Sequence, residues 1–361
     1  MKKLPFFAGV LLPFAMVAAF QWTMDPTYIF GNRNGNFIWW NQPRISIAFV
    51  LRRMKVEGLT LGSSRADTIP LVHPAWSGLR VMKIVLPSAT FTEERQFLEH
   101  AQAIHPIKKI IVEMSHENVT NPIPAQFSPD RLLHLTEPNH PFRYNLSIVT
   151  DVARTLYSAD TIQEGVMAFL QVPWTQHLNY YGSIESLKKK FGMHADGTKQ
   201  EQKQPMEELK KILEFGAEHD IEMHFFISPL FVPYEEQEIS RIGIDTLEKW
   251  KRDLVRIFAE VARKKGKTAA LWDFSGYNTI TLVPMPASGD IYETPWFSDI
   301  SHFKEVTGTM ILDRIFGTCR EPCTIPPDFG VQLTPENIEE RLAKFRADHV
   351  EYLETHKASA Y

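Results

Sequence analysis

The sequence predicts an α/β fold, a central parallel sheet of about five strands covered on both faces by helices and interrupted by one large insertion. Short apolar runs alternate with longer amphipathic ones over most of the chain. The apolar runs are rich in Val, Ile, Leu and Phe, as strands buried on both faces require. More than a hundred residues separate the third run from the fourth, too many for an ordinary connection. With 361 residues, 44% of them hydrophobic and 12% aromatic, the chain can bury one large core beside such an insertion.

At the N-terminus, Lys2 and Lys3 precede an uncharged stretch from Leu4 to Met24 whose core reads LPFFAGVLLPFAMVAAF. A cleaved signal peptide has this layout, with Val17 and Ala19 at a small-residue cleavage site. An uncleaved anchor has it too, with Gln21 and Trp22 at the interfacial belt, and residues 1–24 are assigned to an anchor in preference. In either case the lysines stay inside, so the remainder is exported. Residues 25–57 carry aromatics, Asn, Gly and arginines and read as a juxtamembrane lead-in.

Strands are then expected at Leu59–Leu61, Leu79–Leu86, Lys109–Met114, Glu222–Ser228 and Thr268–Phe274. Helices are expected at Thr92–Ile104, Glu201–His219, Ile244–Lys265 and Phe303–Phe316. The resulting domain runs from 58 to 330, with its insertion at about residues 119–205. The insertion opens on NPIPAQF, contains a helix near Ile148–Phe169 and ends in HADGTKQEQKQP. Such segments form lids or walls over the carboxyl ends of the strands, where ligands bind. Trp174, Tyr180 and Tyr181 within it suit either core packing or stacking on sugar rings. In residues 331–361, Ile338, Leu342, Phe345 and Tyr352 mark a docking helix.

Composition removes several functions. A formal charge of −4 from 39 basic and 43 acidic side chains gives no basic stripe, so nucleic acid is not a partner. Basic runs such as Lys188 to Lys190 and Arg263 to Lys265 read as solvated helix faces. There is no G-x-G-x-x-G for a dinucleotide and no H-E-x-x-H for a metal, so neither cofactor nor metal is expected. The two cysteines, Cys319 and Cys323 in CREPC, form either a disulfide in an oxidising compartment or two free thiols in a turn.

The chemistry is concentrated in two short blocks. LTLGSSRAD at residues 59–67 is a strand running into a turn with two serines, and a serine attacks nothing without a base. WFSDISHFKEVTG supplies that base: Asp299 and His302 lie three residues apart, directly before an amphipathic run that stops at Gly317. In the resulting triad Ser64 attacks, His302 takes its proton, and Asp299 fixes the imidazole tautomer. Neither block is specific alone. A serine after the first strand together with Asp-x-x-His before the last helix is much rarer.

These residues resemble the SGNH or GDSL-type hydrolases, especially their membrane-anchored, exported relatives. There the nucleophile is the serine of a Gly-Asp-Ser block after the first strand, and acid and base come from a C-terminal Asp-x-x-His. The match falls on Ser64, with Ser63 in the aspartate's place, and on Asp299 and His302 in D-I-S-H. LPSATFTEE, FFISPLF and DISHFKEVTGTMILDRIFG are similar to members that assist O-acylation of glycans or D-alanylation of teichoic acids. The likeness covers about residues 26–317 and implies a flavodoxin-like three-layer sandwich.

It also implies oxyanion donors. The backbone N–H of Ser64, a backbone N–H of Ser88 or Ala89 in place of the family's glycine, and Asn118 in E-M-S-H-E-N in place of Gly-x-Asn-Asp would serve, with His116 unassigned. The implied activity is transfer of an acyl group, acetyl in the first instance, through an acyl-serine to a cell-envelope polysaccharide. Its implied partners are a membrane-bound O-acyltransferase as donor, the polysaccharide acceptor and the membrane itself through the N-terminal helix. An esterase and a non-catalytic glycan-binding scaffold of the same fold remain as alternatives.

Overall fold

The computed structural model describes residues 3–31, 43–120, 132, 146–170 and 203–356. Its helices are α1 Lys3–Met24, α2 Pro43–Met54, α3 Phe91–Ile104, α4 Glu117–Thr120, α5 Leu146–Tyr157, α6 Ala159–Phe169, α7 Lys203–Glu218, α8 Val232–Ile242, α9 Ile244–Lys265, α10 Glu305–Phe316 and α11 Ile338–His356. Its strands are β1 Gly58–Gly62, β2 Val81–Val85, β3 Lys109–Met114, β4 Glu222–Ile227, β5 Ala270–Asp273 and β6 Val331–Gln332.

The six strands form one sheet in the order β2-β1-β3-β4-β5-β6, with helices flanking it. The first five are parallel and β6 runs antiparallel to β5. The central strands β1 and β3 are buried along their whole length, which is why GLTLG and KIIVEM are mostly apolar and do not alternate with polar residues. Strand order reverses at β1, whose neighbours β2 and β3 lie on either side. In a doubly wound sheet of this order the crevice outside the carboxyl ends of the strands at that reversal is the ligand site. A cluster of buried aromatics, among them Trp76, Phe226, Phe231, Phe274, Phe297 and Phe303, packs one face of the sheet.

The chain divides into two compact units. One comprises Val56–Arg95, Ile107–Pro122 and His177–Tyr361 and holds the sheet. The other comprises Met1–Lys55, Gln96–Pro106 and Ile123–Gln176, so segments that the sequence assigns to the anchor, the lead-in and the insertion belong to one body.

The expected strands all form, each within two residues of the anticipated limits, and Lys109–Met114 coincides with β3. A sixth, β6, is two residues long, too short to leave a periodic signal. The lead-in contains the helix α2, in which Ile45, Ile47, Ala48, Phe49, Val50 and Leu51 are all buried. A helix buried nearly all round shows no apolar stripe, which hides it from a periodicity argument. The single helix expected near Ile148–Phe169 is two, α5 and α6, and α8 is a further unanticipated helix that starts at a proline in its first turn. The docking helix forms as α11, with Ile338, Leu342 and Phe345 buried.

Residues 3–24 are helical, with Pro13 inside the helix, and among the described residues no helix is long and apolar enough to cross a membrane. Cys319 and Cys323 form a disulfide. Trp174, Tyr180, Tyr181 and Lys188 to Lys190 lie outside the described residues.

Candidate active site

The turn after β1 answers which serine is available for chemistry. Gly62 has φ of +149°, a conformation side chains rarely adopt, and a Cβ there would come within 2.7 Å of Glu113 Cβ and 2.9 Å of Ala66 Cβ. That glycine lets the chain leave the strand tightly against β3. Ser63 is then consumed by structure. Its N–H and its hydroxyl both donate to Glu113 Oε2, at 2.9 and 2.7 Å, while its Oγ accepts from Arg65 N as the cap of a 3-10 turn over Ser64–Thr68. Ser64, one residue on and half-buried, is turned the other way.

Its partner arrives from the far end of the chain. His302 Nε2 lies 2.8 Å from Ser64 Oγ, and His302 Nδ1 lies 2.8 Å from Asp299 Oδ2. The loop bearing them is a small hairpin, closed by a bridge between Phe297 and Phe303 and by Ser298 N–H donating to His302 O. Asp299 is buried and further fixed by the N–H groups of Ser301 and His302, which donate to its Oδ1 at 2.7 and 2.9 Å. Burial alone would raise this carboxyl. The hydrogen bond and charge of His302 and the two backbone donors outweigh it and hold Asp299 below the ordinary aspartate value, so it stays ionised.

α10 packs closely against the turn that follows β1. A Cβ on Gly308 would collide with Thr68 O. Exchanging a helical glycine for alanine normally stabilises a protein by about 0.5–1 kcal/mol. Here Gly308→Ala is expected to destabilise and to slow any Ser64-dependent reaction, because it pushes the His302 segment off the turn. Thermal melting together with a labelling rate checks this, and a stabilised, fully reactive variant would contradict it.

The oxyanion candidates separate by geometry. Ser64 is the first residue of its 3-10 turn, a position whose N–H has no partner inside the helix. Ser88 is exposed, with φ of +54° in the turn after β2. Ala89 N–H donates to Leu86 O at 3.0 Å. Asn118 braces this region: its Nδ2 donates to Ala89 O at 2.9 Å, and its Oδ1 accepts from Ser115 N at 2.7 Å. Ala89 N–H and one Asn118 proton are thus engaged in holding the loop.

Three contributors were invisible to motif reasoning. Glu113 joins three elements, since its Oε1 also accepts from Ser228 Oγ at 2.6 Å at the end of β4. Its signal was a lone carboxylate inside the apolar strand KIIVEM. Neighbouring Glu94 is pushed well above the usual carboxyl range by burial first, then by the charges of Glu113 and Glu93. Arg65 Nε donates to Ser301 O at 3.1 Å and its Nη2 to Glu117 Oε1 at 3.1 Å, tying the turn after β1 to the Asp299–His302 loop. Burial works against this guanidinium, but Glu117, Tyr234 and Glu113 outweigh it and raise its pKa.

Beside Arg65 a cleft of about 40 Å³ opens at the carboxyl ends of β3, β4 and β5, lined by Ser115, Glu117, Ser228, Glu235 and Trp250 among others. Burial pushes the Glu235 carboxyl from 4.5 to about 7, against the pull of Lys251 and of Gly276 N–H and with added repulsion from Asp273 and Glu236. Its folded value is raised, so the native state binds the proton more tightly than the unfolded chain. Stability should fall as pH rises from about 4.5 to about 7 and level off above. At about 1.4 kcal/mol per tenfold change in proton affinity, the loss is roughly 3 kcal/mol. Glu235→Gln is expected to remove this slope in urea unfolding; an unchanged slope would refute the assignment.

No protein-family model matches the chain, and among curated proteins there is no match. Among solved structures it is similar to a protein of Streptococcus pneumonia provisionally described as a platelet activating factor, at 10% identity and a TM-score of 0.36. That match covers 78% of this chain and 94% of the other. A likeness of this size carries no activity from one chain to the other.

Proposed function

We propose that the chain is an exported, membrane-anchored serine acyltransferase of SGNH type, which moves an acyl group through an acyl-Ser64 onto a hydroxyl of a cell-envelope or extracellular polysaccharide. The observation that carries this reading is the 2.8 Å approach of Ser64 Oγ to His302 Nε2 with the ionised Asp299 behind the ring. A binding scaffold has no use for that alignment.

In the first half-reaction Ser64 Oγ attacks the donor's acyl carbonyl as His302 Nε2 takes the hydroxyl proton. The oxyanion faces the N–H groups of Ser64 and Ser88, and the leaving group departs with the proton that His302 returns. In the second, His302 deprotonates the sugar hydroxyl, which attacks the acyl-serine, and Ser64 recovers its proton. A membrane-bound O-acyltransferase is the donor in this scheme. The oxyanion pair is modest, since two backbone donors stand without the side-chain amide, and loss of one such donor costs about two to three orders of magnitude in rate.

The half-exposure of Ser64 favours a second reading, an anchored esterase, because water can reach an acyl group there. The experiment is acylation of the full chain with a small activated ester, with and without an oligosaccharide. Transfer predicts a burst whose slow second phase is accelerated by the sugar, with the acyl group recovered on a sugar hydroxyl. Fast clearance by water with no acylated sugar selects the esterase, and absence of any acyl-enzyme ends both.

A further inference from the structure

Within the unit formed by Met1–Lys55, Gln96–Pro106 and Ile123–Gln176, α2 buries apolar side chains in the ordinary way, but the part built of α1, α5 and α6 is inside out. Where α1, α5 and α6 meet, the buried side chains are polar. Gln21 Nε2 donates to Thr155 O at 3.1 Å, and the hydroxyls of Thr27 and Thr155 lie 2.7 Å apart. Thr155 and Thr161 also return their hydroxyls to the carbonyls of Asp151 and Arg154, both at 2.8 Å. Gln21, Thr27, Thr155 and Thr161 are each no more than 1% exposed. Gly165 makes room for the seam, because a Cβ there would collide with Gln21 Oε1. The large apolar side chains point outward: Leu12, Phe14 and Met16 of α1, Val149 of α5, and Val166 and Phe169 of α6 are 42–64% exposed.

A helical unit bathed in water does the reverse, hiding Leu, Val and Phe between its helices and presenting Gln and Thr. Covering it with a protein partner would not alter that preference within the seam. Acyl chains would. In lipid the outer apolar residues lose nothing by exposure, and helices are held by small residues and interhelical hydrogen bonds. We propose that the α1, α5 and α6 part of this unit is immersed in a lipid leaflet, with α5 and α6 as well as α1 in contact with acyl chains. At 1.5 Å per residue, the 12 residues of α5 and 11 of α6 span about 18 and 17 Å, roughly half of a 30 Å hydrocarbon core, so they enter without crossing. The junction between them carries Arg154 and Asp160, 4.0 Å apart, a pair suited to the headgroup level, and Trp22 at the end of α1 suits the same depth. This inference does not depend on the acyl-transfer reading, and the two fail separately.

The test uses the full chain in vesicles of phosphatidylcholine and phosphatidylglycerol. Cys319 and Cys323 are tied in a disulfide, so one introduced thiol at Val149→Cys, Val166→Cys or Phe169→Cys takes an environment-sensitive fluorophore alone. These positions are exposed, where substitution costs within about 0.5 kcal/mol. Val72→Cys, at a residue 96% exposed in the other unit, is the aqueous reference. The expected result is quenching of the three labels by nitroxide on the acyl chains and protection from iodide, with the opposite at Val72. Iodide access equal to that of Val72 would overturn the proposal and leave α1 as the sole contact. Shielding from both quenchers would overturn it in favour of a second copy of the chain on this face.

Discussion

Asp299→Asn is expected to slow acylation of the protein by an activated ester by about four orders of magnitude, since the amide holds the imidazole in the wrong tautomer and cannot stabilise its charged form. The reason lies in the geometry: both Asp299 oxygens are within 2.9 Å of His302 Nδ1, and Oδ1 also accepts two backbone N–H groups. Asn can keep the backbone bonds through its carbonyl oxygen, so the fold should survive while the rate collapses. His302→Ala should lose as much. Stopped-flow release of the ester's leaving group measures both, and a loss under tenfold for Asp299→Asn would remove the aspartate from the mechanism.

Glu113→Ala carries the largest expected loss of stability outside the triad. It strands the N–H and hydroxyl of Ser63 and the hydroxyl of Ser228, all buried, and leaves a void beside Gly62. A hydrogen bond to a charged group is worth about 1.5–3 kcal/mol, so the loss of three implies about 5 kcal/mol or more, along with loss of the Ser64 alignment. Glu113→Gln is the informative control. Its carbonyl can accept from Ser63 while its amide donates to the hydroxyl of Ser228, so it should retain the fold and most of the reactivity. Denaturant unfolding with parallel labelling separates the two, and equal loss in both variants would point to the charge rather than the bonding pattern.

The sheet was legible because parallel strands buried on both faces are written as predominantly apolar runs without alternation, as the IIV of KIIVEM and the FFI of EMHFFI show. What escaped had physical reasons. The helix α2 is buried nearly all round and shows no stripe, and β6 pairs through two residues only. The serine of the turn and the Asp-x-x-His were readable as separate blocks, yet nothing in spacing says that residues 238 positions apart meet at 2.8 Å. The choice of Ser64 over Ser63 came from a family likeness, and the structure gives a physical ground for it in the Glu113 carboxylate that occupies Ser63. Glu113 itself follows no motif. The roles of Ala89 and Asn118 turn on where their hydrogen bonds go, which composition does not record.

Whether Ser64 is the nucleophile of an Asp299–His302–Ser64 triad is decided by intact-protein and peptide mass measurement after treatment with a serine-directed fluorophosphonate. Ser64 Oγ would displace fluoride and keep the phosphonyl group. One adduct is expected on the peptide containing Ser64, absent from Ser64→Ala and retained by Ser63→Ala. An adduct that persists in Ser64→Ala, or none on the folded wild-type chain, would contradict that role for Ser64.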